Sequence, residues 1–277
     1  MPKTNFINTS RTIFSITIRQ SIRSKKTFFM LIITFLPVVL AISYRIIGRD
    51  MEPNKPFSRL IMIGPENALS MMMMFYLLFL GLLVSLFYGA SLIADEVDNK
   101  TIIYLFTRPI KKISILAGKF AAYLVQSLLI IIPPILLCLL IIIVNNSMII
   151  DYGILIRSFV GQVGVIVLAL VVYGTIFNLL GVWIKRPILF GLLFAFGWEK
   201  MLLIVPGSIK KICIAHYLLS AFPRHALLPE QNMQMGFRRG IIHNSSLLTS
   251  IIVISIITII FFIASIMVIN RKEYKFE

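Results

Sequence analysis

The chain has 277 residues, 58% of them hydrophobic and 14% charged, with a formal net charge of +16. A soluble domain carries roughly 25% charged residues, so this composition excludes an ordinary globular protein and points to an all-α polytopic membrane protein. The excess Lys and Arg gather where apolar runs end, which suits anionic headgroups and a fixed topology; no nucleic-acid partner is implied.

Residues 1–27 read as an N-terminal interfacial helix. Phe14, Ile18 and Ile22 recur at four-residue spacing while Arg19, Arg23 and Lys26 fall on another arc, the pattern of a helix lying on a membrane surface. No small-residue cleavage site follows, so no cleavable signal is expected. Span one is expected over 28–47 with a kink at Pro37. Span two is expected over 69–93, where Gly81, Ser85 and Gly89 form a small-residue stripe that lets helix backbones approach. A polar insert, 94–119, comes next.

Span three is expected over 120–144, broken by Pro133-Pro134, and span four over 158–184, closed by "KRP" at 185–187. The run 188–209 is long enough to cross but is interrupted by Glu199 and Lys200. The apolar run 212–222 is too short to span and suits a re-entrant or interfacial element, within a segment, 199–246, expected outside the cytoplasm. The last span is expected over 247–269. The positive-inside count alone favours five spans, with 188–209 re-entrant. That arrangement puts "RKEYK" at 271–275 outside, against the same rule. Six spans in a single transmembrane domain, 1–277, with both termini cytoplasmic, is the expectation.

Gly118-Lys119 lacks the upstream glycine and the Ser/Thr of a phosphate-binding loop, so no ATPase activity is expected of this chain. The three histidines, His216, His225 and His243, have no helical partner at four-residue spacing, and no metal is expected. Cys138 and Cys213 give no disulfide framework.

The insert 94–119 has an order. Asp95 can cap a new helix. Glu96 and Lys100 stand four apart with the acid first, the favourable arrangement on a helix. Ile102, Leu105 and Phe106 make an apolar knob, and Arg108-Pro109 stops the helix. Lys111 and Lys112 lie at headgroup level before Gly118-Lys119. Alone, this describes a short amphipathic helix on the cytoplasmic surface.

The stretch resembles the signature of type-2 ABC exporter permeases, which runs approximately A-x-E-x-x-x-G-T-x-x-x-L-x-x-x-P-hydrophobic-x-[RK], then G-K. Ala94, Glu96, Thr101, Leu105, Pro109, Ile110, Lys112, Gly118 and Lys119 fill the matching positions, and Lys100 stands where the family has glycine. The resemblance implies that this loop is a coupling helix docked on a separate ATP-hydrolysing subunit. The contacts would come from Asp95, Glu96, Lys100, Thr101, Ile102, Leu105, Phe106, Arg108 and Pro109. It also implies an exporter in the cytoplasmic (inner) membrane, with a second permease copy or paralogue, lipid neighbours, and ATP and Mg held by the partner alone.

Glu199 and Lys200 are a second candidate site, because ionisable residues inside a span mark function by default. With Asn178 and Gln126 they would line a substrate path. The opposing expectation leaves both charges at the outer headgroups, where Trp198 would also sit. The alternative function is a non-transporting membrane anchor or assembly subunit of a larger enzyme complex. A lipid-modifying enzyme has little support, since no acidic or histidine cluster marks a cytoplasmic helix end.

Overall fold

A computed structural model of the chain describes residues 6–50, 65–98, 112–144, 152–204, 208–223 and 246–271. These are helical, with no strand among them. Five helices in this set are long and apolar enough to cross a membrane: Lys25–Ile46, Ala68–Glu96, Lys112–Ile143, Leu155–Trp183 and Leu247–Arg271.

Helix α1 (Phe6–Ile22) precedes the spans and packs along the start of span three. Its inward arc is centred on buried Ile13, with Phe14 and Ile18 half-buried beside it and Ile22 exposed. The fit is close because Gly118 has no side chain: a Cβ there would stand 2.6 Å from the Ser10 carbonyl oxygen. Ser10 Oγ also donates to the Ser114 carbonyl at 3.1 Å. Span one consists of α2 (Lys25–Thr34) and α3 (Leu36–Asp50), broken at Phe35. Pro37 lies just past the break, near α3's start, where a missing N–H costs least.

Helix α4 (65–98) contains two π-helical turns, Tyr76–Leu80 and Ser85–Gly89. It runs past the expected end of span two, so Asp95 lies within a helix and does not cap a new one. Helix α5 (Lys112–Ile143) is continuous through Pro133 and Pro134, and the expected break is absent. The prolines free two carbonyls, which packed neighbours and local adjustment can re-satisfy in a membrane helix. Helix α6 (Tyr152–Trp183) starts earlier than the sequence pattern suggests.

Helix α7 (187–204), whose middle is a π segment over Leu193–Glu199, runs antiparallel to α4. Gly191 sits against the Leu86 side chain, the Phe196 and Phe79 rings are 5.8 Å apart, and Lys200 Nζ reaches the Leu78 carbonyl at 2.8 Å. A 3-10 turn, Ser208–Ile212, and the short α8 (Ile214–Ala221) fold back on it. Helix α9 (Leu247–Arg271) completes the set.

Three contacts bring helix ends together at one end of the bundle. Lys26 at the start of span one pairs with Asp95 at the end of α4 at 2.8 Å. Lys119 near the start of α5 pairs with Glu96 at 2.8 Å. Lys112 Nζ donates to the carbonyl of Ile269, near the end of α9, at 3.2 Å.

Spans two and four meet through small residues. A Cβ on Gly89 would stand 3.2 Å from the Gly174 carbonyl oxygen, and one on Gly181 would overlap the Ala90 carbonyl. Ser85 Oγ accepts from Tyr123 at 2.9 Å. Gly81 meets only the Tyr76 carbonyl of its own helix, at 3.0 Å. Gly181→Ala is therefore expected to cost about 1–3 kcal/mol by overpacking, since backbone must move. Gly164→Ala is the control, because no atom lies within 4 Å of its Cβ position. Thermal unfolding of the two purified variants checks this; equal melting temperatures would refute the close approach.

Candidate functional site

Helices α1, α2, α4 and α5 converge around Asp95, Glu96 and Lys119, at the two described ends of the stretch 94–119. Asp95 and Glu96 are consecutive on α4, so their side chains diverge by about 100° around the helix. Asp95 turns to Lys26, with both carboxylate oxygens within 2.9 Å of Nζ. Glu96 turns to Lys119, which also donates to the Leu92 carbonyl at 2.8 Å. The two pairs differ in weight. Lys26 and Asp95 are nearly half exposed, and such pairs contribute roughly 0–1 kcal/mol. Lys119 is 4% exposed, so its charge depends on the carboxylate and carbonyl it meets.

These pairs border a cavity of about 470 Å³ whose lining also includes Tyr88, Tyr123 and Gln126. Tyr88 donates to Thr27 Oγ1 at 2.9 Å, and Thr27 Oγ1 in turn donates to the Ser21 carbonyl. Tyr123 Oη lies 2.7 Å from the Leu170 carbonyl. Hydroxyls thus tie α2 to α4, and α5 to α4 and α6.

Of the residues expected to form the coupling contact, Asp95 and Glu96 are in this junction. Lys100, Thr101, Ile102, Leu105, Phe106, Arg108 and Pro109 lie outside the described residues. Glu96 pairs with Lys119 on the neighbouring helix, a partner that the sequence pattern did not offer. Lys26 was read only as part of the basic arc of the N-terminal helix, and Tyr88 and Tyr123 were not singled out by sequence. The available signal was Lys119 itself, a lysine seven residues inside an apolar helix, which requires a buried acceptor.

The second cluster is built differently. Glu199 and Lys200 face different helices. Glu199 is 1% exposed. Its Oε1 accepts from the Ile214 N–H at 3.2 Å, and its Oε2 from the Ala215 N–H at 3.1 Å and the Cys213 thiol at 2.8 Å. It therefore caps the start of α8, where unpaired N–H groups and the helix dipole favour a negative charge. Burial first, and then the neighbouring Glu199 charge, push the Cys213 thiol up, so it stays protonated and donating. Lys200 bonds the Leu78 carbonyl, within a π turn of α4.

Among the described residues no hydrogen bond joins Glu199, Asn178 and Gln126. Gln126 lines the cavity at the other cluster. Asn178 is fully buried, with neither Oδ1 nor Nδ2 partnered. His216 is buried on α8, while His225 and His243 lie outside the described residues.

A family model described as ABC-2 family transporter protein matches residues 21–198. The chain belongs to the ABC-2 transporter family. A search of curated proteins returned no match. The matched region runs from α1's last turn to α7, so the ABC-2 assignment covers the ion-paired junction and the insert it holds. The chain is accordingly an integral multi-pass membrane protein and a transport permease. ABC-2 permeases are membrane subunits without their own ATPase motif, and as a family they work with an ABC ATPase.

Proposed function

We propose that this chain is the membrane subunit of an ATP-driven exporter, working with a second permease copy or paralogue and separate ATPase subunits that hold ATP and Mg. The observation that carries this reading is the braced junction. Both ends of the loop 99–111 are anchored on ion-paired helix ends, Asp95–Lys26 and Glu96–Lys119. A push on that loop then moves α1, span one, α4 and α5 together, as rigid-body switching requires. In this reading Ile102 and Phe106 are the docked apolar knob, and Lys100, Thr101, Leu105, Arg108 and Pro109 are further contacts to the ATPase subunit.

The test is co-purification of the full chain with its ATPase subunit. Phe106→Asp is expected to reduce the retained ATPase at least severalfold, because a charge would be buried in an apolar groove. Retention at the wild-type level would refute the docking.

The contacts of α7 support a reading with six crossings. With its register against α4 antiparallel from Leu86 to Leu78, α7 carries the chain away from the Lys26–Asp95 end. Its 18 residues span about 27 Å, close to a hydrocarbon core of roughly 30 Å. Helix α9 then returns to Lys112, which fits a reading with both termini on the cytoplasmic side of the inner membrane. Cys213 is fully buried and reports nothing by labelling, whereas Ile209 is 48% exposed. Ile209→Cys is expected to react with an impermeant maleimide from outside the cell; reaction only from the cytoplasm would exclude six spans.

A further inference from the structure

The cavity under the junction is larger and more polar than a brace requires. Its outer end holds two acids and two bases: Asp95, Glu96, Lys26 and Lys119. Its inner end is uncharged. On α5, Gln126 lies seven residues past Lys119, about 10 Å deeper at 1.5 Å per residue. On α4, Tyr88 lies eight residues before Glu96, about 12 Å deeper by the same rise. Lys119 Nζ reaches inward to the Leu92 carbonyl, four residues from Tyr88 and so about 6 Å from its level.

Gln126 is 3% exposed, and its Oε1 has no hydrogen-bond partner. A buried carbonyl left unpaired costs free energy, so this end is shaped for a group that brings an N–H or O–H. The hydroxyl protons of Tyr88 and Tyr123 are already committed to Thr27 and to Ser85 or Leu170, and the Tyr88 oxygen also meets the Gln126 side chain. Tyrosine rings also attract a cation over their faces. One water satisfies Gln126, but water takes up about 30 Å³, a small part of a 470 Å³ space. The balanced charges of the outer end give no complement to a simple cation or a simple anion. Each base there is already paired with an acid, so an anion entering between Lys26 and Lys119 must take a carboxylate's place and bring its own cation to the uncharged end.

We propose that this cavity binds a zwitterion with a primary ammonium, of the phosphoethanolamine class: ammonium at Gln126 Oε1 between Tyr88 and Tyr123, phosphate between Lys26 and Lys119. The site is independent of how the loop 99–111 engages an ATPase. Its specificity rests on the N–H. A choline headgroup carries the same charges but has no N–H for Gln126.

The test is native mass spectrometry of the purified full chain, taken from nanodiscs of equal phosphatidylethanolamine and phosphatidylcholine with matched acyl chains. The wild-type chain is expected to retain the ethanolamine lipid over the choline lipid by roughly tenfold, the effect of one hydrogen bond to a charged group. Gln126→Leu, with its melting temperature checked against the wild type, is expected to bring the ratio to parity. Parity in the wild-type chain would overturn the proposal whether or not the variant folds. An undiminished preference in a folded Gln126→Leu would overturn it too. Free phosphoethanolamine separates the sources. Displacement of the lipid identifies a soluble zwitterion as sufficient, and retention identifies the membrane lipid as the ligand; either outcome supports the chemistry.

Discussion

Lys119→Met is expected to destabilise the protein by about 3 kcal/mol. The substitution keeps the length of the side chain and removes its charge, leaving the Glu96 carboxylate and the Leu92 carbonyl without their shared donor. Removing one partner of a buried pair costs about 3–5 kcal/mol because the other charge is stranded. The Glu96 side chain is 22% exposed, so water softens the loss and sets the lower end of that range. Thermal unfolding of the purified chain reads the effect. The double variant Glu96→Gln with Lys119→Met is expected to regain most of the lost stability, since no charge remains to be stranded. If the double variant were as unstable as the single one, the pair would be a crowding effect and the electrostatic account would fail.

Glu199→Ala is expected to cost at least as much, on the order of 4 kcal/mol. It leaves the N–H groups of Ile214 and Ala215 and the Cys213 thiol without an acceptor in a dry site. Hydrogen bonds to a charged group contribute about 1.5–3 kcal/mol each, and partial relaxation keeps the sum below three full bonds. Glu199→Gln is expected to lie between, because its amide retains one acceptor oxygen and places a donor against donors. The readout is the melting temperature, together with the yield of folded protein. A Glu199→Ala chain that melts like the wild type while transport is lost would return Glu199 to the substrate path.

The helical class and most of the spans were legible because apolar runs near 20 residues admit few other structures. The signature over 94–119 was legible as a motif, since Glu96, Pro109 and Gly118-Lys119 keep their spacing. What sequence could not supply was partner choice. Glu96 has a lysine four residues on, outside the described residues, and another 23 on, which local spacing does not point to and which the fold brings to 2.8 Å. The partners of Glu199 were not legible, because the N–H groups it serves lie 15 and 16 residues ahead, on a helix whose position depends on the intervening turn. Pro133-Pro134 read as a break because proline rules derive from helices in water, where freed carbonyls are solvated and neighbouring helices do not hold the segment. Gly81, Ser85 and Gly89 read as one stripe because a constant helical period was assumed.

That assumption fails at the π turns of α4, and the failure has a use. A π turn holds one more residue than an α turn, so it takes up an insertion while the helix on each side keeps its facing. Between Tyr76 and Gly89 the span absorbs two such residues. Its outer half can then meet Lys200 while its inner half still delivers Asp95 and Glu96 to Lys26 and Lys119. In an unbroken α-helix each extra residue would swing one half by about 100° relative to the other. The two ends of span two are thereby freed from a common phase, and the partners at each end can change without re-aiming the other.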